Sequence, residues 1–488
     1  MYAEFIRGRF GINQLFFCLF ISFLAYSTMA IMPAFNADDI IQSQPIAEDY
    51  ITFLASGRWG YYFVYKVIFN ANPAGPFAFF TGIALLVYSS FLAATVIGLK
   101  NRATIIVFIL ISTISLYYSS FLSFDSTRVA YPLANVLAIG GLLLFLNRRW
   151  FLGVLAFCVA PSLFQASVQV AGAVLVASAI FSALTDSYQV ARKTLILGIV
   201  GILTGAILYY LISKIIPIYT GVPFSGRSEI SLTSAVWSHG RLLKLFLGHS
   251  IPSGDQMPYF NLPMKIGIWT FMGCFVSGIF TFANKRTLPK LIFVGVLTFG
   301  LLVVPFALAF VSTAEIGPRG LIAYATIHAV FIAIPLEMAI NYKTLRVTNT
   351  FIKFGFTIAM AFLFITSVQI SSSAFDEHLV YRNDFLATNR IIYRIDEIVS
   401  NSNISMAGPI PILVRYDKPV STAPRGVPST ARDAPWSREW IFRHIDPRFA
   451  PVGGVKRELL IKTAVDRPPW PHPDSVYVQE GVVMVIIN

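Results

Sequence analysis

Charged residues are scarce in this chain of 488 residues, where Asp, Glu, Lys and Arg together make up 12%. Soluble globular proteins carry about 25%. Hydrophobic residues reach 56%, and the mean hydropathy is +0.68. This composition excludes an ordinary soluble protein and predicts a protein of the lipid bilayer.

Cysteine is also rare, with three in the chain. Cys18, Cys158 and Cys274 all lie inside apolar segments, where a thiol behaves as a small hydrophobic side chain. No Cys/His spacing resembles a zinc site. We therefore predict neither a metal nor another cofactor.

Several catalytic signatures are missing, among them G-x-x-x-x-G-K-[ST], G-x-G-x-x-G, H-E-x-x-H and G-x-S-x-G. A transferase fed by a soluble nucleotide is therefore unsupported. The net charge of +13 does not indicate nucleic acid, because the basic residues form short groups between apolar runs, as membrane topology requires.

Apolar segments long enough to cross a membrane recur along the first 371 residues. They lie near residues 13–34, 77–98, 103–122, 130–147, 150–163, 166–184, 194–217, 264–283, 289–311, 319–340 and 351–371. Pro161-Ser162 is either a turn between the fifth and sixth segments or a kink inside one long helix.

Basic residues favour the larger count. With a cytoplasmic N-terminus, every inner connection is short and basic, as the positive-inside rule demands. The residues are Lys100, Arg102, Arg148, Arg149, Arg192, Lys193, Lys285, Arg286, Lys290, Lys343 and Arg346. The predicted fold is an α-helical polytopic membrane protein with about eleven transmembrane helices.

The outer side carries the remaining predicted structure. Residues 1–371 form the membrane domain, with interfacial helices in a first outer loop at 35–76 and a large outer loop at 218–263. Residues 372–488 form a small, mixed α/β C-terminal domain. Its predicted elements are a helix at Phe375–Val399, strands at Ile410–Tyr416, Val476–Gln479 and Val482–Ile487, and a turn at Glu480-Gly481.

Asp38 and Asp39 follow the first span, and carboxylates at the mouth of a span are functional candidates. One of them is the predicted catalytic base, with Asp39 slightly favoured, because adjacent side chains point different ways. The alternative for either residue is the N-cap of an interfacial helix.

Arginines on the same side are candidates for binding a phosphate, which their forked donors suit. They are Arg58, Arg128 and Arg319. Each has an alternative: Arg58 contacts lipid phosphates, Arg128 pairs with Asp125, and Arg319 pairs with Glu315. Asp125 and Glu315 are therefore predicted supporting residues. Carboxylates and arginines beside an aromatic membrane body suit sugar transfer from a polyprenyl phosphate.

Three short motifs carry a family resemblance. They are Asn36-Ala37-Asp38-Asp39 with Gly57-Arg58-Trp59, Pro161 to Ser167 (PSLFQAS), and Gly317-Pro318-Arg319-Gly320. Together they resemble the Gtr-type serotype-converting glucosyltransferases, which modify bacterial O-antigen. The resemblance implies a GT-C architecture, undecaprenyl-phosphate-glucose as donor, and a catalytic aspartate in the first outer loop. Members often have Tyr-Gln in the middle motif, where this chain has Phe164-Gln165.

The sequence therefore predicts a hexosyltransferase of the bacterial inner membrane, with its N-terminus cytoplasmic and its C-terminal domain periplasmic. Its expected partners are undecaprenyl-phosphate-glucose, a lipid-linked O-antigen or similar glycan as acceptor, and membrane lipids. Three alternatives stay open: an O-antigen polymerase or ligase, a transporter (flippase) for a lipid-linked sugar, and a non-catalytic scaffold.

Overall fold

The structure, a computed structural model, describes residues 11–35, 39–40, 53–69, 75–222, 262–282, 288–310, 318–341, 346–401, 408–416, 437–463 and 466–487. It divides into two compact units. The first comprises Met1–Ala30 and Ala47–Ser372, and the second comprises Ile31–Ile46 and Ser373–Asn488. The sequence assigned all of residues 1–371 to the membrane domain, whereas Ile31–Ile46 falls in the second unit. The reason is Ile40, which is buried in that unit's hydrophobic core.

Helices, most of them long and apolar, form the first unit. They are α1 (Ile12–Ile31), α2 (Trp59–Phe63), α3 (Gly75–Ile97), α4 (Arg102–Thr113), α5 (Leu116–Leu122), α6 (Ala130–Leu146), α7 (Trp150–Leu163), α8 (Ser167–Thr185), α9 (Tyr188–Thr220), α10 (Leu262–Phe282), α11 (Leu288–Val303), α12 (Ala323–Asn341) and α13 (Arg346–Ser400), which continues past Ser372. In the described ranges, nine helices are long and apolar enough to cross a membrane, or ten with the bent pair α4–α5. The chain is thus a polytopic helical protein.

Against the predicted eleven spans, the helix α7 accounts for one missing span and the bent pair α4–α5 for the other. The helix α7 has 14 residues, which span about 21 Å at 1.5 Å per residue, whereas the hydrocarbon core is about 30 Å thick. Pro161 lies inside its last turn. The chain therefore turns after Leu163 rather than at Pro161-Ser162, and α8 begins at Ser167.

The helices α4 and α5 meet at an angle of 51°, and a tyrosine of α1 stabilises the break. The Tyr26 hydroxyl lies 2.8 and 3.0 Å from the carbonyl oxygens of Thr113 and Ser115, and it accepts the Ser115 N–H at 3.0 Å. Backbone groups freed inside a bilayer need such partners, because no water replaces them.

The helix α12 is buried along its length and forms the centre of the first unit. Near its end, the fully buried Glu337 accepts the N–H of Lys100 at 3.0 Å and the N–H of Asn101 at 3.1 and 3.2 Å. These two residues precede α4, so a carboxylate of the central helix holds the start of the bent pair. Negative charge is favourable at a helix N-terminus.

The second unit contains a four-stranded sheet in the order β2-β1-β4-β3. The strands are β1 (Ile410–Tyr416), β2 (Phe449–Pro451), β3 (Val476–Gln479) and β4 (Val482–Ile487), and the helices α14 (Trp440–Ile445) and α15 (Gly454–Thr463) lie among them in sequence. The strand β1 is parallel to β2 and β4, and β3 and β4 form an antiparallel hairpin. A small sheet near the C-terminus, predicted from the sequence, is confirmed.

Two hydrophobic clusters cover the two faces of this sheet. Ile412 and Val485 share one cluster with Ile395 of α13, and Leu413 and Met484 belong to the other. Neighbouring strand residues point to opposite faces, so β4 is apolar throughout because both of its faces are buried.

An ion-pair network lies beside the sheet. The Arg448 Nη2 is 2.6 Å from an Asp446 carboxylate oxygen and 3.1 Å from an Asp396 carboxylate oxygen. The hydrogen bonds from Arg448 lower the pKa of Asp446 below its usual value.

Candidate functional site

Arg58 precedes α2, and two side chains hold its guanidinium. Its Nε donates to the Gln165 Oε1 and its Nη1 donates to the Tyr131 hydroxyl, both at 3.2 Å. The side chain is half-buried. A guanidinium has five N–H donors, so these two bonds leave three on the terminal nitrogens. Arg58 can therefore bind an oxyanion without breaking either contact.

Gln165 occupies the turn between α7 and α8 and connects three parts of the unit. Besides accepting from Arg58, its Nε2 donates to the Ser56 carbonyl oxygen at 3.1 Å and to the Tyr209 hydroxyl at 3.3 Å. The Gln165 amide fits in one orientation only. If it were flipped, its NH₂ group would face the Nε–H of Arg58, and its oxygen would face the carbonyl oxygen of Ser56. The motifs around Arg58 and Gln165, far apart in sequence, thus meet.

Gly57 allows this meeting. Its φ is +73°, a region that other residues adopt at a cost. A Cβ at this position would also lie 2.8 Å from the Tyr209 hydroxyl oxygen. Glycine therefore lets the segment before α2 approach α9 closely.

Aromatic rings lie beside Arg58. Tyr131 stacks on Phe164 with ring centroids 3.8 Å apart, and Phe121 contacts both rings edge-on with centroids 5.7 and 6.4 Å away. The Tyr61 ring centroid is 6.1 Å from that of Tyr131. We call Tyr61, Phe121, Tyr131 and Phe164 the aromatic cluster. It gives Arg58 a largely apolar setting.

The predicted Asp125–Arg128 ion pair forms just before α6. Arg128 is 5% exposed, its Nε donates to the Leu122 carbonyl oxygen at 2.7 Å, and its guanidinium carbon is 5.4 Å from the Phe79 ring centroid. Because all these contacts are internal, they favour the ion-pair alternative over phosphate binding for Arg128.

Arg319 lies in the 3₁₀ turn Pro318–Leu321 that leads into α12, and its side chain is half-buried. Its guanidinium carbon is 3.9 Å from the ring centroid of Phe124, and the Phe124 N–H donates to the carbonyl oxygen of Phe121 at 3.1 Å. Phe121 belongs to the aromatic cluster. Arg58 and Arg319 therefore lie at the same end of the first unit. Glu315, the predicted partner of Arg319, lies outside the described residues.

The favoured candidate for the base, Asp39, is assigned to a different unit from Arg58 and Arg319. Asp39 belongs to the second unit and is 4% exposed, next to the core residue Ile40. Asp38 lies outside the described residues, as do residues 223–261 of the large outer loop. The structure thus has Arg58 and Arg319 at one end of the first unit, and the phosphate-binding and catalytic roles stay predictions.

Sequence reasoning missed Tyr131 and Tyr209, and it named Gln165 without assigning its role. Tyr131, at the start of α6, looks the same in sequence as the aromatic belt of any membrane protein, and Tyr209, inside α9, looks like an ordinary packing residue. Glu337 was also missed, although a carboxylate near the end of an apolar span is a signal for a specific partner.

Among the residues with described positions, no group of three or more His, Cys, Asp and Glu side chains is placed to hold a metal ion. The arrangement that the structure provides is instead an oriented arginine beside aromatic rings, with a second arginine at the same end. Comparisons of the chain with protein-family models, with curated proteins and with solved structures find no match.

Proposed function

We propose that this chain is a GT-C-like glycosyltransferase of the bacterial inner membrane, with eleven spans. It moves a hexosyl group, glucose by the resemblance above, from an undecaprenyl-phosphate-sugar to O-antigen or another lipid-linked glycan on the periplasmic face. The observation that carries the proposal is Arg58, which is held by Gln165 and Tyr131, keeps three N–H donors, and lies at the same end as Arg319.

The reaction is a single displacement at the anomeric carbon. An acceptor hydroxyl oxygen forms the new bond to this carbon while the bond to the donor phosphate oxygen breaks, and that electron pair leaves with the phosphate. The hydroxyl proton passes to a carboxylate, for which Asp39 or Asp38 is the predicted base. Configuration at the carbon inverts, through an oxocarbenium-like transition state.

Arginine suits the leaving group. The phosphodiester donor carries one negative charge, and the departing phosphomonoester approaches two, so negative charge grows on the phosphate oxygens as the bond breaks. Donors that point at this charge act more strongly in the transition state than in the ground state, which accelerates the reaction. Arg58 and Arg319 take this role in the proposal.

The aromatic cluster suits the rest of the donor. Lipid and sugar ligands bind in sites that are mostly apolar and aromatic, with a few placed polar groups. Tyr131 supplies both, because its ring stacks on Phe164 while its hydroxyl contacts Arg58.

Transfer assays in proteoliposomes test the proposal. The purified chain is given a panel of undecaprenyl-phosphate sugars and a lipid-linked glycan acceptor, and product formation is measured. Arg58→Gln should lower kcat by about 10²-fold or more, the typical cost of losing a donor to developing charge. The matched control is Arg149→Gln, an exposed arginine between α6 and α7, which should retain activity.

The base is identified by assaying Asp38→Asn and Asp39→Asn separately. The variant that loses transfer while its protein level in the membrane stays normal marks the base. Absence of transfer from every donor would refute the proposal. Transfer of whole oligosaccharides from a diphosphate carrier, without single-sugar transfer, would assign a polymerase or ligase instead.

One observation favours a second candidate, a transporter for a lipid-linked sugar. His328 of α12 is 6% exposed and sits among the rings of Tyr117, Tyr324 and Phe362, with centroids 6.2, 6.1 and 6.0 Å away. An ionisable residue inside a span often marks a transport pathway, and broken helices accompany such sites. Flipping of a fluorescent lipid-linked sugar without acceptor, abolished by His328→Phe, would establish transport.

A further inference from the structure

We propose that Gln165 is a positioning residue, which orients the guanidinium of Arg58 and so sets its affinity for a phosphate oxyanion. The inference rests on the proposed function for the source of that oxyanion, the phosphate of a polyprenyl lipid. Neither composition nor spacing assigns this role to Gln165.

The geometry gives Gln165 control over the plane of the guanidinium. The Nε–H of an arginine lies in the plane of the guanidinium and points away from one edge. A hydrogen bond from Nε therefore fixes the orientation of that plane. Gln165 accepts this bond at 3.2 Å, while Tyr131 accepts from one terminal nitrogen. The donors that remain are all on the terminal nitrogens, which therefore face the ligand as a preorganised fork.

Gln165 is itself fixed. Its amide nitrogen has two acceptors, the Ser56 carbonyl oxygen and the Tyr209 hydroxyl, on separate parts of the first unit. An oriented donor pays less conformational entropy when an anion binds, because its freedom is already lost before binding. The contact of Gln165 with Arg58 thus contributes to anion affinity without touching the anion.

The amide is also neutral, and this separates positioning from a purely structural role. Gln165→Leu removes the acceptor and leaves the charge of Arg58 intact. Gln165→Glu keeps an acceptor at Nε but forms an ion pair with Arg58, and an incoming oxyanion must then compete with it. If Gln165 only stabilised the fold, both variants would weaken binding only as far as they destabilise the protein. Positioning predicts that the loss of affinity in Gln165→Leu depends on the guanidinium of Arg58 and disappears when Arg58 is replaced.

The test measures binding of undecaprenyl phosphate to the full chain in phosphatidylcholine nanodiscs. Gln165→Leu should weaken binding roughly tenfold, the scale of one hydrogen bond to a charged group, and Gln165→Glu should weaken it further. The matched control is Gln169→Leu, one turn along α8, where a 3% exposed amide has no hydrogen-bond partner among the described residues. This control should bind as the wild type does.

A double-mutant cycle completes the test. In an Arg58→Met background, Gln165→Leu should change affinity by less than about twofold, because coupled residues lose their interaction together. Wild-type affinity in Gln165→Glu, or an undiminished effect of Gln165→Leu in the Arg58→Met background, would overturn the inference.

Further ligand arms identify the source of the oxyanion. Inorganic phosphate and phosphatidylglycerol are titrated alongside undecaprenyl phosphate, and tighter, Gln165-dependent binding of the polyprenyl lipid supports the inference as stated. Equal Gln165-dependent binding of inorganic phosphate would overturn the lipid as the source. Because binding is measured without an acceptor, Gln165-dependent binding in a chain that transfers no sugar would refute the proposed function and leave the positioning role standing.

Discussion

Removal of the Glu337 carboxylate should destabilise the first unit more than any surface substitution. This side chain is fully buried and accepts the backbone N–H groups of Lys100 and Asn101 at 3.0 to 3.2 Å. The variant Glu337→Ala leaves both donors without their acceptor at the start of α4. A backbone donor that loses its buried carboxylate acceptor costs free energy, because no other group of the protein replaces the bond.

The magnitude follows from the number of bonds. A hydrogen bond to a charged group contributes about 1.5–3 kcal/mol, so the two donors together give roughly 3–6 kcal/mol. Lys100 is exposed and Asn101 is half-buried, so we expect the lower end, about 3 kcal/mol. Glu337→Gln keeps one acceptor oxygen and nearly the same volume, and it should lose about half as much.

Unfolding of the purified chain in mixed micelles, driven by a rising fraction of sodium dodecyl sulfate, measures these free energies. The control is Glu397→Ala, since Glu397 is 61% exposed in its ion pair with Arg394 and such pairs contribute about 0–1 kcal/mol. If Glu337→Ala lay within about 0.5 kcal/mol of the wild type, the range of ordinary surface substitutions, the buried carboxylate would not hold α4 as described.

Three further outcomes are expected. Tyr26→Phe should lower the free energy of unfolding by about 1–3 kcal/mol in the same assay, because the break between α4 and α5 loses its hydrogen-bonding partner; no change would mean that the break is stabilised otherwise. Gly57→Ala should reduce sugar transfer several-fold. Position 57 has a φ of +73°, and an added Cβ would lie 2.8 Å from the Tyr209 hydroxyl oxygen, so the alanine should displace the segment before α2. A wild-type kcat would contradict this. Arg448→Met should speed hydrogen exchange around β2 in the full chain at pH 7. The pKa of Asp446 is lowered in the folded state, so its stabilisation is present above the unfolded value of about 3.9 and is lost as pH falls through the folded-state pKa. The variant should therefore approach the wild type on acidification, and a difference that persists would refute the pairing.

The second unit was the more predictable part of the fold. The strands β1, β3 and β4 have the bounds expected from the sequence, because short apolar runs flanked by Gly, Pro and Asp leave few alternatives. Glu480 and Gly481 both adopt positive φ, as a two-residue hairpin turn requires. The strand β2 was not predicted, since three residues without a periodic pattern carry too little signal.

The candidate site was predictable only in part. Arg319 stands out because, in the predicted topology, a basic residue at an outer span end opposes the positive-inside trend, and Arg58 stands out as an arginine of the predicted interfacial loop. The partnership of Arg58 with Gln165 had no local signal, since it joins residues that are distant in sequence through one amide. The position of Asp39 was equally unpredictable from local sequence. Its neighbour Ile40 packs in a core with residues from the end of the chain, and this long-range contact places Asp39 in the second unit.

Ile40 also constrains the topology. It shares a core with Ile395 and Val485, so residue 40 and the C-terminal strands lie on the same side of the membrane, and the chain must cross an even number of times between them. Among the helices that the structure describes, a total of ten spans is thereby excluded, because it leaves nine crossings after α1. The bent pair α4–α5 and the short α7 consequently cross together or not at all. With both crossing, Arg148 and Arg149 lie on the side opposite the C-terminus, where the positive-inside rule also places them.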